Sequence, residues 1–237
     1  MRAVIVGAYG AIGSAFVQAL SKDNRFGEIH ACSRKGGEDS GAVIYHEMDI
    51  NHESSIRTVL DNITRQGTLD RVIVATGILH HDDGLKPEKS LSMLDPENLA
   101  RLYAINTIGP AMVAKYALPH LRKQCRSVFA AISARVGSVS DNRLGGWYGY
   151  RMAKSALNMF IKSAAIEIKR SNQNAIVLGL HPGTVDTALS KPFQGRVDPE
   201  KLFTPERAAT QLLDVMEHAT IGQSGRLLAW DGSEIQP

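Results

Sequence analysis

The chain is poor in cysteine. Its 237 residues hold two, Cys32 and Cys125, far apart and outside any metal-ligand spacing. That excludes a disulfide-stapled scaffold, and both are expected to be reduced thiols. There is no apolar run long enough to cross a bilayer, so no membrane partner is expected. The N-terminus enters a strand directly, without a charged leader or cleavage site, and a cytoplasmic location is expected. Charge of one sign is also scarce. The net charge is +3 and the basic residues are scattered, which gives no stripe for a nucleic acid. His80, His81, Asp82 and Asp83 form the one cluster of metal-binding residue types, and no further ligands stand at zinc-like spacing, so no metal is expected.

What is present is a glycine-rich turn behind a short apolar run. Ala3-Val4-Ile5-Val6 reads as a strand covered on both faces. Gly7-Ala8-Tyr9-Gly10-Ala11-Ile12-Gly13 follows, and a helix begins at Ala11. Glycines allow a sharp turn and close approach of a ligand. The unpaired amides that open the next helix face that turn and suit a pyrophosphate. In this context the turn points to a dinucleotide.

The pattern then alternates. Strands are predicted at Glu28–Cys32, Ala42–His46, Arg71–Ala75, Ser127–Ile132, Ala175–Leu180 and Arg226–Trp230. Helices are predicted at Ala11–Leu20, Glu53–Gln66, Pro96–Leu118 and Tyr150–Arg170, with another starting at Pro205. Asn51 or Asp49 is the expected cap of the second helix, Asp95 of the third and Thr204 of the last. Seven strands separated by helices, with no internal repeat or linker, define an α/β fold: a Rossmann-type doubly wound parallel sheet with helices on both faces, in one domain spanning residues 1–237. Ligands bind beyond the carboxyl ends of such strands. The segments at those ends are Gly7–Gly13, Ser33–Lys35, Ala75–Gly77, Ser133–Ser138 and Pro182–Thr187.

Ser33-Arg34-Lys35 stands where an acidic residue would bind the ribose hydroxyls of NAD. With arginine there and no carboxylate, NADP(H) is favoured. Asp49 follows a strand end and could accept from an adenine amino group; plain helix capping would look the same. Asn106 lies inside an apolar helix, and Pro110 has no N–H to give its carbonyl, so a kink is expected there. Tyr150 and Lys154 share one face at the start of a helix. A neighbouring ammonium and the helix N-terminus both favour a phenolate, which brings Tyr150 toward a useful acid–base range. Trp147, Leu144 and Phe193 are candidates for an apolar substrate wall.

The glycine turn, Ala75-Thr76-Gly77, Asn106, Tyr150-Arg151-Met152-Ala153-Lys154 and Pro182-Gly183 together resemble the short-chain dehydrogenases/reductases over essentially the whole chain. The stretch from Arg135 to Arg151 resembles the subgroup of sniffer-type carbonyl reductases and the myxobacterial C-factor. The resemblance implies an NADPH-dependent reductase of a small-molecule carbonyl (aldehyde, ketone or quinone). Tyr150 would be the proton donor, Lys154 would tune it and hold the nicotinamide ribose, and Asn106 would keep a relay water beside Lys154. Thr184 and Thr187, with Pro182, Gly183 and Val185 around them, would meet the carboxamide and phosphates. The family's serine position is filled by Ala134, and Ser133 or Ser138 is the expected substitute, with Ser133 favoured. The alternative is a C-factor-like, dinucleotide-binding regulatory protein with little turnover. Related enzymes are often dimers or tetramers and some are monomers, and the apolar faces of residues 98–118 and 152–168 serve core packing or subunit contacts alike.

Overall fold

The computed structural model describes residues 1–237, the side chain of Arg196 excepted. Strands β1 (Arg2–Val6), β2 (Glu28–Ser33), β3 (Val43–Glu47), β4 (Arg71–Val74), β5 (Ser127–Ile132), β6 (Ala175–His181), β9 (Leu227–Ala229) and β10 (Glu234–Ile235) form one sheet, and β7 (Thr184–Val185) pairs separately with β8 (Leu202–Phe203). The sheet order is β10-β9-β6-β5-β4-β1-β2-β3. Every pairing in it is parallel except β10 on β9. The sheet therefore has eight strands. The eighth is a two-residue antiparallel return, too short to show a period in the sequence.

Helices α1 (Ala11–Ser21), α2 (Glu53–Arg65), α3 (Pro96–Tyr103), α4 (Gly109–Ala117), α5 (Tyr148–Ile168) and α6 (Pro205–His218) cover the sheet. Strand alternation splits the core cleanly. Val4, Val6, Val72, Val74, Phe129 and Val177 face α2, α4 and α5. Ala3, Ile5, Ile73, Val128, Ile176 and Leu178 face Phe16 and Leu20 of α1 and Leu212 and Met216 of α6. Burial on both faces is why these strands read as unbroken apolar runs. No helix among the described residues is long and apolar enough to cross a membrane.

The helix expected from Pro96 to Leu118 is broken where the sequence placed a kink. Residues Ala104–Ile108 form a π-helical turn, with Asn106 at its centre. Asp95 and Thr204 cap their helices through Asn98 N (2.8 Å) and Arg207 N (3.2 Å). The cap of α2 is instead His52, whose side chain makes no capping bond. Asp49 closes the preceding turn by accepting from Asn51 N at 2.9 Å. Strand order reverses at β1, with β2 on one side and β4 on the other, and in such sheets the ligand crevice lies at this switch point, beyond the carboxyl ends.

Candidate active site

The glycine turn lies in this crevice. Gly7 has φ +90°, and its amide and that of Ala8 donate to the Cys32 carbonyl at 2.8 and 3.1 Å. A Cβ on Gly13 would overlap the Gly7 carbonyl oxygen, so the turn and α1 close only with glycine there. Gly10 is the N-cap of α1 and supplies no side-chain acceptor; the first turn, which Ala11, Ile12 and Gly13 begin, holds no acidic residue. Ala11 is exposed. Among the described residues no protein anion meets the free amides at this end. Beside the turn, Thr76 Oγ1 is buried without a partner among the described residues, and Thr76 Cγ2 lies 3.0 Å from where a Gly7 Cβ would sit. A glycine cradle, an open helix end and an orphaned hydroxyl together fit a dinucleotide's phosphates.

Two loops flank the glycine turn. Ser33 donates its hydroxyl to the Lys35 carbonyl, which curls the segment and leaves Arg34 exposed at its tip. Among the described residues the Arg34 side chain has no hydrogen bond or ion pair. Tyr9 reaches across from the glycine turn, bonds the Gly36 carbonyl at 3.1 Å and stacks on Tyr45. Asp49 is half-buried; one carboxylate oxygen is engaged by Asn51. On the far side, Pro182 is buried and Gly183 has φ +76°. A Cβ on Gly183 would lie 2.7 Å from the Phe203 ring. Thr184 and Val185 form β7, and the Thr187 amide donates to Ser190 Oγ at 3.3 Å.

Three of the expected catalytic side chains are buried near Gly77. Tyr150 enters from the first turn of α5, and Lys154 follows one turn later. The Lys154 ammonium lies 5.7 Å from the Tyr150 ring centroid and donates to the Ile132 carbonyl at 2.8 Å. A Cβ on Gly77 would sit 3.3 Å from Asn106 Oδ1 and 3.8 Å from Lys154 Nζ. Asn106 is fully buried; its amide donates to the Ile78 and Leu102 carbonyls (2.9 and 3.0 Å), and its Oδ1 accepts from Ile78 N at 3.1 Å. Burial acts on the pair in opposite senses. It pushes the Tyr150 phenol up from its ordinary value and pulls Lys154 down to about 7. The protein's own groups thus favour a protonated tyrosine beside a lysine that titrates near neutrality.

The expectation for Ser133 needs correcting. Its hydroxyl is buried and donates to Asn158 Oδ1 at 2.6 Å. Asn158 lies about 12 Å further along α5 than Tyr150, at 1.5 Å per residue. Ala134 packs in the cluster that contains Tyr150. Strand alternation, which the end of β5 was free to abandon, is kept. Ser138 is spent as well: it accepts from Asp141 N at 3.1 Å and lies 3.4 Å from Ser140 Oγ.

Over Tyr150 the loops build an apolar wall. Leu79, Leu85 and Leu102 are buried against Tyr150, with Val136, Trp147, Leu189 and Phe193 packed on them. The Trp147 ring lies 4.8 Å from Phe193 and 6.5 Å from Tyr150. Leu144 is 92% exposed and takes no part. His80 does not act with its neighbours: its Nε2 is 3.1 Å from the Ala188 and Leu189 carbonyls. His81 pairs with Asp83 at 3.1 Å, and Asp83 with Arg101 at 2.7 Å.

Glu88 escaped the sequence reading. It is 3% exposed, its carboxylate accepts from Gly149 N at 3.2 Å, and its carbonyl accepts from Trp147 N at 2.6 Å. Among the described residues Trp147 is the one non-glycine residue with positive φ, +52°. Its only advance signal was negative: α5 opens without a capping side chain of its own.

A parallel sheet with a switch point at β1, and with Tyr150 and Lys154 one turn apart beyond β5, places the chain among the Rossmann-type α/β proteins. A family model described as short chain dehydrogenase matches residues 1–197, and the chain belongs to that family, the short-chain dehydrogenases/reductases. It is 30% identical, over 98% of both chains, to the 1-hydroxy-2-glutathionyl-2-methyl-3-butene dehydrogenase of a Rhodococcus. It is 31% identical to the C-signal of Myxococcus xanthus over 146 residues, covering 62% of this chain and 82% of that protein. In fold it matches the NADPH-bound carbonyl reductase from chicken fatty liver (TM-score 0.86, 21% identity, 100% of this chain and 94% of that one). It likewise matches the carbonyl reductase Sniffer of D. melanogaster (TM-score 0.85, 20% identity, 100% and 99%).

Proposed function

We propose that the protein is an NADP(H)-dependent reductase of small apolar carbonyl compounds, with Tyr150 as the proton donor. The observation that carries this reading is the burial of Tyr150 within an apolar wall, with the Lys154 ammonium 5.7 Å from its ring. The glycine turn, Thr76 and the Pro182–Thr187 segment would hold the dinucleotide, and Arg34 its 2′-phosphate. When bound, that dinucleotide supplies the hydride to the carbonyl carbon. Tyr150 gives its phenolic proton to the carbonyl oxygen, and the product is an alcohol. The raised phenol keeps the donor protonated at neutral pH. Lys154, near 7, can return a proton to the phenolate. Asn106 fixes Ile78 and so borders the path between Gly77 and Lys154. Ser133 has no part in this scheme, and Tyr150 is the single hydroxyl offered to the substrate oxygen. The exposed Ile108, Met152, Met159 and Ile166 support assembly with further copies of the chain, as a dimer or tetramer.

Ala134 favours one second reading: a regulatory protein that binds the dinucleotide with little turnover, in line with the likeness to a C-signal. NADPH consumption over a panel of aldehydes, ketones and quinones, with NADH as control, separates the two. The reductase reading expects turnover with NADPH preferred. Intact coenzyme binding with no turnover on any substrate would replace it with the regulatory one.

A further inference from the structure

The Ser33–Lys35 segment is fastened from a direction that a simple surface loop would not need. Tyr9 belongs to the glycine turn, yet its hydroxyl donates to the Gly36 carbonyl at 3.1 Å. Its ring stacks on Tyr45 of β3, with centroids 5.8 Å apart and planes 23° from parallel. The Tyr45 amide in turn donates to Asp39 Oδ1 at 2.8 Å. Gly37 lies between these groups: a Cβ there would sit 2.5 Å from Tyr9 Oη and 2.8 Å from the Tyr45 ring. Tyr9 itself is 55% exposed, so core packing does not account for it.

We infer that Tyr9 is a specificity-determining positioning residue: it latches the phosphate-binding turn to the Arg34 loop and thereby sets the preference for a 2′-phosphorylated dinucleotide. Arg34 stands exposed and unpaired among the described residues at the tip of the latched segment. An arginine on a loose loop must be ordered when it binds an anion, and a loop already held lowers that cost. NADH has no 2′-phosphate and gains nothing from the held arginine. This inference rests on reading Ser33–Lys35 as the ribose-phosphate site.

The test uses Tyr9→Phe, Tyr9→Ala and Gly37→Ala in the full chain. Amide hydrogen exchange is followed over residues 34–39 without coenzyme, and NADPH and NADH affinities are measured by fluorescence titration. Tyr9→Ala is expected to speed exchange in that segment and to weaken NADPH about tenfold, with NADH changed less than about twofold. Tyr9→Phe keeps the stack and loses the hydrogen bond, for about a threefold loss of NADPH affinity. Gly37→Ala should match Tyr9→Ala, because its methyl displaces the tyrosine. Unchanged exchange in Tyr9→Ala overturns the latch. Equal weakening of both coenzymes overturns the selectivity role and makes Tyr9 part of the pyrophosphate turn alone. Wild-type protein that binds NADH as tightly as NADPH, with Arg34→Ala neutral, refutes the ribose-phosphate reading and the selectivity role with it, while the exchange data still decide the latch.

Discussion

Two helix N-termini meet the crevice, and they are finished in opposite ways. The N-terminus of α1 is capped by glycine, has no acidic residue in its first turn and, among the described residues, meets no protein anion. The N-terminus of α5 has no cap of its own either, but Glu88 arrives from a distant loop and places a buried carboxylate on Gly149 N. Each end carries about half a positive charge. At α1 that charge is open to a ligand. At α5 it is already answered, and the answer fixes the turn that presents Trp147 and Tyr150. The same physical feature serves binding where it is open and rigidity where it is closed.

The comparison can be broken at the closed end first. Tyr150→Phe should lower kcat by about a thousandfold. NADPH affinity should hold, because α1 is untouched; stopped titration and steady-state rates check both. Lys154 gives the next largest effect, and it runs against intuition. Its folded value of about 7 lies below the roughly 10.4 of an exposed lysine, so the fold disfavours the charged form. That cost is full below about pH 7 and fades as pH rises toward the unfolded value. Lys154→Met should therefore stabilise the protein by about 2 kcal/mol near pH 6, the linkage of about 4 less the cost of leaving the Ile132 carbonyl without its donor, and the sign should reverse by about pH 10, while turnover is lost. Denaturant unfolding at several pH values checks the sign.

Glu88→Ala should destabilise by about 1–2 kcal/mol, since a buried amide loses its acceptor. Its kcat should fall further than its NADPH affinity. Glu88→Gln keeps an acceptor oxygen and should recover most of the stability. The smallest effect sharpens the account: Ala134→Ser adds a second hydroxyl beside Tyr150 and should raise kcat about fivefold, the worth of one further hydrogen bond to the carbonyl oxygen.

Much of this was readable in the sequence, for stated reasons. Ala3-Val4-Ile5-Val6 is an unbroken apolar run, as a strand buried on both faces requires, and the glycine turn follows immediately. The distortion at Asn106 followed from Pro110 alone, although the sequence could not say that it would be a π turn. What escaped depends on where side chains point after the chain has packed. Ser133 and Ala134 are adjacent, and only the pleat at the end of β5 decides which one faces Tyr150. Glu88 lies in a loop and Gly149 in the first turn of α5, far apart in sequence, and such a contact leaves no period to read. Leu144 and Phe193 were equal candidates for the wall. The Phe193 ring found Trp147 and His80, and Leu144 turned to solvent. The sequence argument for a lysine that lowers Tyr150 missed burial, which opposes it on both groups.

The central claim is that the open end of α1 is reserved for the anionic dinucleotide. Titrating NADPH into wild-type protein and Ala11→Asp, with melting curves for both, tests it most directly. Ala11 is exposed in the first turn of α1, so a carboxylate there suits the helix and meets the pyrophosphate. The account predicts an unchanged or slightly higher Tm and NADPH binding weakened at least about tenfold. NADPH bound equally well by both proteins would contradict it.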